Sequence, residues 1–325
     1  MNIAEIAKLA GVSNAAVSRY FNHGYISDEK REAIRKVVEE TGYQPSMQAQ
    51  TLRTRKTRMV GVIVPKIASV SIGRVVEGML SVLNAGGYQA LLAVTQNDPK
   101  KELEYLSAFQ VKQVDGVVLI ATVLTPEHKR ALKKMEVPTV IVGQQLSGHN
   151  CVYHDDYHAS FELTERVLEK GRRNLGYIGA IRQDRAVGEE RYRGYRDAVC
   201  GAGLEACAGQ YATASFTVAS GYEKAGELLE RYPKLDSLIC ATDTMAAGAM
   251  QYLSEHGVRV PEQILVAGQG DSDIGRVLSP PLLTVHYSYE ESGELAVRML
   301  MEMLDQGKDV PRETRLGYRI VDPEA

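Results

Sequence analysis

Gly11-Val12-Ser13-Asn14-Ala15-Ala16-Val17-Ser18-Arg19-Tyr20-Phe21-Asn22, read with Ile3 to Ala10 before it, decides the fold of the N-terminal part. Ile3, Ile6, Ala7, Leu9 and Ala10 recur at helical spacing, and Gly11 takes at little cost the positive φ that ends such a helix. Ser13 is placed to cap a second helix whose buried side carries Val17 and Phe21. Two short helices across a glycine turn make a helix-turn-helix. The second helix turns Ser13, Asn14, Ala15 and Ser18 outward, and side chains this short let its N-terminal end approach base edges closely. Arg19 offers a planar cationic fork to a phosphate or a guanine. The bland reading of the same residues is two ordinary helices opening a globular domain.

Working outward, Ser27-Asp28-Glu29 opens a third helix with a capping serine and two acids in its first turn. Ala33, Ile34, Val37 and Val38 form its buried stripe and Thr41-Gly42 ends it. Residues 1–44 thus read as a three-helix headpiece. Pro45 marks a turn, and Met47 to Arg53 fit one short helix that needs a partner to persist in water. Arg53, Arg55, Lys56 and Arg58 follow as a cationic linker, either a solvated tether or one that tracks phosphates.

The whole chain of 325 residues carries a formal charge of −3. Residues 1–58 hold 10 Lys and Arg against 6 Asp and Glu, so a basic head precedes a body with seven surplus negative charges. That asymmetry suits a DNA-binding headpiece on a domain that repels DNA. The four cysteines, Cys151, Cys200, Cys207 and Cys240, include no C-x-x-C pair and form no disulfide or zinc pattern. No apolar run reaches the length of a membrane span, and Glu5 and Lys8 interrupt any signal-peptide pattern. A cytoplasmic protein without membrane association, metal or cofactor is expected.

From Met59 the pattern changes to strand alternating with helix. Strands are expected at 59–65, 88–95, 116–121 and 138–142, and again, after a restart, at 175–181, 237–241 and 265–267. Helices are expected at 73–84, 102–110, 126–135, 160–169, 190–202, 222–231 and 244–255. The fold class is therefore α/β, with two doubly wound parallel-sheet lobes behind the headpiece. Ligands bind such sheets beyond the carboxyl ends of the strands, here facing a cleft between lobes.

In this order the motifs resemble the lactose-repressor family of bacterial transcription regulators. The carrying segments are Ile3 to Asn22, Pro45 to Leu52, Val60 to Pro65, Gly171 to Gly179, Arg191-Tyr192-Arg193-Gly194-Tyr195, Ala241 to Ala249 and Pro281 to Val285. The resemblance implies a homodimer whose headpieces read a pseudo-palindromic operator and whose hinge helices fold on it. Leu52 matches the leucine that pries open a base step from the minor groove. Asn14 and Ala15 match the two main specificity positions: asparagine can pair with adenine, alanine only touch a thymine methyl. Ser13, Ser18, Arg19 and Asn22 fit the family pattern, whereas Ala16 stands where many members carry threonine. The implied organisation is a headpiece at 1–44, a hinge helix and basic linker at 45–58, and a bilobal domain at 59–325 of the type I periplasmic-binding-protein kind. Lobe one spans about 59–157 and 288–318, lobe two about 158–287 and 319–325.

The resemblance also implies a sugar effector. Asp243 matches the ligand carboxylate, able to accept from two hydroxyls at once, Arg191 the ligand arginine, and Phe216 an aromatic wall. Tyr287 and Tyr289 could line the same cleft. Ser69-Val70-Ser71-Ile72 replaces a common Asn-Pro-Phe-Phe turn, so Ser71 and Ile72 give a more open floor. Gly268-Gln269-Gly270-Asp271 brings an amide and a displaced acid, and Gly143-Gln144-Gln145 brings further amides. These departures are similar to the sucrose-operon repressor subgroup. The one cluster that tempts an enzyme reading, His154-Asp155-Asp156-Tyr157-His158, is expected to be a solvated loop, because no further ligand set or nucleophile–base pair accompanies it.

Overall fold

A computed structural model describes residues 1–22, 24–43, 56–111, 114–307 and 311–324. The chain divides into two compact units, Met1–Arg58 and Met59–Ala325. The expected hinge helix, with Leu52 and Arg53, lies outside the described residues.

In the first unit, α1 (Ile3–Leu9), α2 (Asn14–Phe21) and α3 (Asp28–Thr41) enclose a core of Ile6, Ala7, Ala16, Val17, Ile26 and Ile34. Gly11 sits at φ +65° between the first two helices, in the region where a Cβ is penalised. Ser13 Oγ accepts from Ala16 N at 3.3 Å and caps α2. Two details differ from expectation. Leu9 is 61% exposed, outside the buried stripe. Ser27 opens α3 by backbone geometry alone, without a side-chain cap bond.

The second unit contains two parallel sheets. The first runs β11-β5-β4-β3-β1-β2, where β1 is Met59–Val64, β2 Gln89–Val94, β3 Gly116–Ile120, β4 Thr139–Val142, β5 Asn150–His154 and β11 Glu313–Leu316. Successive residues of its central strands enter opposite cores: Val60, Val62, Val118 and Ile120 one, Ile63, Val117 and Leu119 the other. Burial on both faces is why these strands read as continuous apolar runs. The second sheet runs β7-β6-β8-β9, with β6 at Leu175–Gly179, β7 Tyr211–Thr213, β8 Ser237–Cys240 and β9 Leu265–Ala267. An antiparallel pair, β10 (Thr284–Tyr287) with β12 (Tyr318–Val321), adjoins it through Ala267 and Leu283.

Helices follow the strands: α4 (Val70–Ala85), α5 (Pro99–Gln110) and α6 (Pro126–Lys133) in lobe one. In lobe two they are α7 (Asp156–Glu169), α8 (Arg191–Gly201), α9 (Glu205–Ala208), α10 (Val218–Arg231), α11 (Asp243–Glu255) and α12 (Asp273–Val277). After β10 the chain returns as α13 (Tyr289–Gln306), which packs against α4. The approach is close enough that a Cβ on Gly78 would meet Glu290 O at 2.0 Å, and one on Gly293 would meet Val75 O at 2.0 Å. The alternation expected from sequence missed β5, β7, β10, β11, β12, α9, α12 and α13. It also started α7 at Ser160, four residues late.

Candidate functional site

On the headpiece, α2 presents Asn14, Ala15 and Arg19 to solvent, and Ser13 and Asn22 flank it equally exposed. Ser18 is half-buried, and its carbonyl accepts from Asn22 Nδ2. Ala16 is buried in the headpiece core, so it faces away from this surface. The exposed row contains one cation and three short polar or small groups at the N-terminal end, the chemistry of a major-groove reader.

In the second unit a cavity of about 220 Å3 lies between the two lobes. Ser71, Ile72, Arg191, Phe216, Asp243 and Gln269, six of the residues singled out from sequence, line it. Ser71 and Ile72 belong to the first turn of α4. Lys66, from lobe one, sits 4.8 Å above the Phe216 ring of lobe two, and half-burial pulls its ammonium pKa down.

Arg191 begins α8 after a π-helical turn, Arg185–Glu190. Its Nε donates to Asp156 Oδ1 at 2.7 Å and its Nη1 to the Ala241 carbonyl at 2.7 Å. The guanidinium lies 4.5 Å over Tyr287. Tyr287 itself is 1% exposed and does not line the cavity. It supports the floor from beneath, donating its hydroxyl to Gln269 Oε1 at 2.8 Å, while Tyr289 reaches the wall. Gln269 Nε2 in turn donates to Ser160 Oγ at 3.3 Å.

Asp243 stands at the start of α11, but Thr242, not Asp243, is the cap. Its carboxylate is more engaged than expected. Oδ1 accepts from Thr284 Oγ1 at 2.6 Å, and Oδ2 accepts from Ser272 N at 2.7 Å and Ser272 Oγ at 2.8 Å. Burial pushes its pKa up, against the pull of these donors. With three of about four lone-pair directions filled, it has room for one further donor rather than two hydroxyls.

The displaced acid, Asp271, points away from the cavity. At φ +45° it pairs with Arg276 through both oxygens and with His286 Nδ1 at 2.8 Å. Gln144 does reach the cavity, donating across the cleft to Asp184 Oδ1 at 2.8 Å. Burial raises the Asp184 carboxyl to about 6 despite bonds from Val187 N and Gln144. Gln145 turns outward to Glu313.

The largest correction concerns residues 154–158. They are not a solvated loop: His154 ends β5, Asp155 caps α7 by accepting from His158 N, and His154 and Asp156 are buried. Asp156, the anion that balances Arg191, was missed. Its sequence signal was only its place within the His154-to-His158 cluster, three residues beyond the apolar Cys151-Val152-Tyr153. Among the described residues no group of three or more His, Cys, Asp or Glu could hold a metal ion. No helix among them is long and apolar enough to cross a membrane.

A DNA-reading headpiece followed by two sheets with a cavity between them defines the class of ligand-responsive regulators built on a periplasmic-binding-protein-like frame. Residues 2–46 match the profile of bacterial regulatory proteins of the lacI family, and residues 164–322 match that of the periplasmic binding protein-like domain. The sucrose operon repressor of Staphylococcus xylosus is 33% identical over 305 residues, 93% of each chain. The transcriptional regulator RegA of Clostridium saccharobutylicum is 29% identical, covering 100% of this chain and 98% of its own. Among solved structures, a complex of the transcriptional regulator CelR with cellobiose superimposes with a TM-score of 0.76 at 28% identity, covering 99% of this chain and 98% of that one. The lac repressor dimer bound to operator and the anti-inducer ONPF superimposes with a TM-score of 0.91 at 19% identity, with the same coverage, a likeness of fold. The chain belongs to the lacI family of bacterial regulatory proteins, a family of regulators rather than enzymes.

Proposed function

We propose that the chain is a dimeric repressor of a carbohydrate-utilisation operon that releases its pseudo-palindromic operator when a sugar fills the interlobe cavity. One observation carries the reading: an exposed reading helix and an interlobe cavity floored by a buried guanidinium occur in one chain. Residues 1–44 read DNA through Ser13, Asn14, Ala15, Ser18, Arg19 and Asn22. Residues 45–58 supply the hinge, with Leu52 as the minor-groove wedge and Arg53 on the backbone. Residues 59–325 bind the sugar and pair the two chains. Ser71, Ile72, Arg191, Phe216, Asp243 and Gln269 contact the ligand, and Tyr287 holds Arg191 and Gln269 in place.

The sugar is sucrose or a related sugar or sugar phosphate. The similarity to the Staphylococcus xylosus repressor supports this, as do the amides of Gln144 and Gln269 at the wall. Sugar closes each cleft, shifts the lobe-one surfaces and melts the hinges. Coupling is reciprocal, so sugar weakens operator binding by the factor by which operator weakens sugar binding. Fluorescence anisotropy with palindromic sites from the chain's own genomic neighbourhood, at low salt with and without sucrose, tests this. Binding that falls on adding sucrose is expected. Failure to bind any such site sinks the repressor reading, and tighter binding with sugar makes the ligand a corepressor.

A further inference from the structure

Lys66, Arg74 and Gln144 of lobe one each reach across the cleft to lobe two. Lys66 ends on the Phe216 ring and Gln144 on the Asp184 carboxyl, but Arg74, in the second turn of α4, ends on the backbone. Its Nη1 donates to the Asp271 carbonyl at 3.2 Å. That carbonyl shares a trans peptide with the Ser272 N–H, which donates to Asp243 Oδ2 at 2.7 Å. One planar unit thus joins a lobe-one guanidinium to the carboxylate read as the ligand acceptor. We propose that Arg74 is a positioning residue that ties lobe one to Asp243 through the 271–272 peptide, and so sets how strongly sugar binding and operator binding are coupled. The inference rests on the sugar reading of Asp243 and the cavity.

The peptide is built to pass movement on rather than absorb it. In a trans unit the carbonyl and the N–H point in opposite directions and turn together. A carboxylate that accepts from the N–H also polarises the carbonyl, which strengthens the bond from Arg74. Asp271 holds φ +45°, a value few non-glycine residues adopt, and it is fixed there from several sides. Arg276 donates to its two carboxylate oxygens at 3.0 and 2.9 Å, His286 Nδ1 lies 2.8 Å from Oδ2, and the Asp271 N–H donates to Thr284 Oγ1 at 3.4 Å. Thr284 Oγ1 donates in turn to Asp243 Oδ1 at 2.6 Å, so both oxygens of Asp243 are tied to this segment. A hydroxyl that takes the last direction at Asp243 competes with these donors and shifts the peptide.

The receiving end is rigid as well. α4 packs so closely on α13 that neither Gly78 nor Gly293 has room for a Cβ, and a displacement of Arg74 therefore moves two helices together. The other partner of Arg74 contributes little. Its Nη2 lies 3.9 Å from Asp273 Oδ1, and the Asp273 side chain is 84% exposed, a setting in which water and salt screen an ion pair. The carbonyl bond, by contrast, is made in the cavity wall by a guanidinium that is mostly buried.

The test is the ratio of operator affinities without and with saturating sugar, measured by fluorescence anisotropy on the full-length wild type and on Arg74→Met. The probe is whichever of sucrose, maltose, trehalose, cellobiose, glucose, fructose and sucrose 6-phosphate changes the operator affinity of the wild type. Methionine keeps a long unbranched stem and a good helix propensity but donates no hydrogen bond. The ratio is expected to move about tenfold toward one, the worth of one charge-assisted hydrogen bond, while sugar-free operator affinity stays within about threefold of wild type. Asp273→Asn leaves the ratio as it is. A wild-type ratio in Arg74→Met overturns the inference and leaves the sugar reading standing. So does weaker sugar binding with the ratio preserved, which makes Arg74 a ligand contact only. An Asp273→Asn variant that matches Arg74→Met makes the surface ion pair the link and overturns the route through the peptide. Where Arg74→Met lowers the melting temperature, Arg74→Lys, which keeps the charge and a donor, is read by the same criteria, with a shift of about threefold expected. A wild type that responds to none of the sugars overturns the proposed function, and the inference falls with it.

Discussion

Asp156→Ala is expected to destabilise the ligand domain by about 3 kcal/mol, the low end of the range of roughly 3–5 kcal/mol for breaking a buried ion pair. Arg191 is 3% exposed, and its Nε loses the Asp156 oxygen that lies 2.7 Å away. The low end follows from what remains. The Ala241 carbonyl still accepts from Nη1, and the Tyr287 ring still lies beneath the cation, a contact worth up to about 2 kcal/mol when dry. Asp156→Asn keeps an acceptor for Nε and removes only the charge, so its cost is about half as large. The control is Asp155→Ala, one residue earlier. Its Arg315 partner is 55% exposed, and its other contacts are the α7 cap and the largely exposed His158 ring, so about 1 kcal/mol is at stake. Urea unfolding followed by tyrosine fluorescence is practical, because the chain has 17 tyrosines and no tryptophan. An Asp156→Ala variant within about 1 kcal/mol of wild type, or no worse than Asp155→Ala, refutes the claim that this pair anchors the cavity floor.

Three further outcomes are expected. Burial raises the Glu102 carboxyl to about 7, so the folded state binds its proton more tightly than the unfolded chain does, and stability is lost as pH rises through that value. Glu102→Gln therefore gains stability over wild type at pH 8 and little at pH 5, where the native carboxyl is already neutral; urea titrations at the two pH values that show the same difference rule this out. Asp243→Ala strips Ser272 and Thr284 of their shared acceptor and abolishes the sugar response with operator affinity intact, and anisotropy that still responds to sugar contradicts the placement of Asp243 in the switch. Ser13→Ala removes the cap on α2 and costs the headpiece about 1 kcal/mol. Amide exchange in α1 and α2 of the full chain should speed up accordingly, while that in β1 and β3 stays unchanged.

What could be read from sequence was what is decided locally. Gly11 and Ser13 announce a turn and a cap within four residues of each other, and the turn and cap are where the motif placed them. β1 and β3 were legible because strands buried on both faces are apolar throughout. β11, Glu313-Thr314-Arg315-Leu316, was not. It is an edge strand with every second residue exposed, and its pairing partner is Cys151 to His154, more than 150 residues earlier. β7 has only three residues, too few for any period to show.

The misreadings within the cleft share a cause of a different kind. Sequence placed Asp243 at the end of a strand and at the cavity wall, but gave no sign that Ser272 and Thr284 would fold back and occupy its oxygens. It read Asp156 as solvated because the cation that balances it lies 35 residues on, at the head of another helix. A side chain's position follows from its own element, whereas its unused hydrogen-bonding capacity depends on everything that packs against it. Asp156 with Arg191, Gln144 with Asp184, and Gln269 with Ser160 and Tyr287 are satisfied by one another. The floor is thus a pre-formed polar network rather than a set of waiting donors and acceptors, and such a network discriminates between ligands by the few valences it leaves over. On the proposed function, selectivity among sugars then rests on the remaining direction at Asp243 and the ring of Phe216, the groups whose substitution should change which sugar is bound before it changes how stable the protein is.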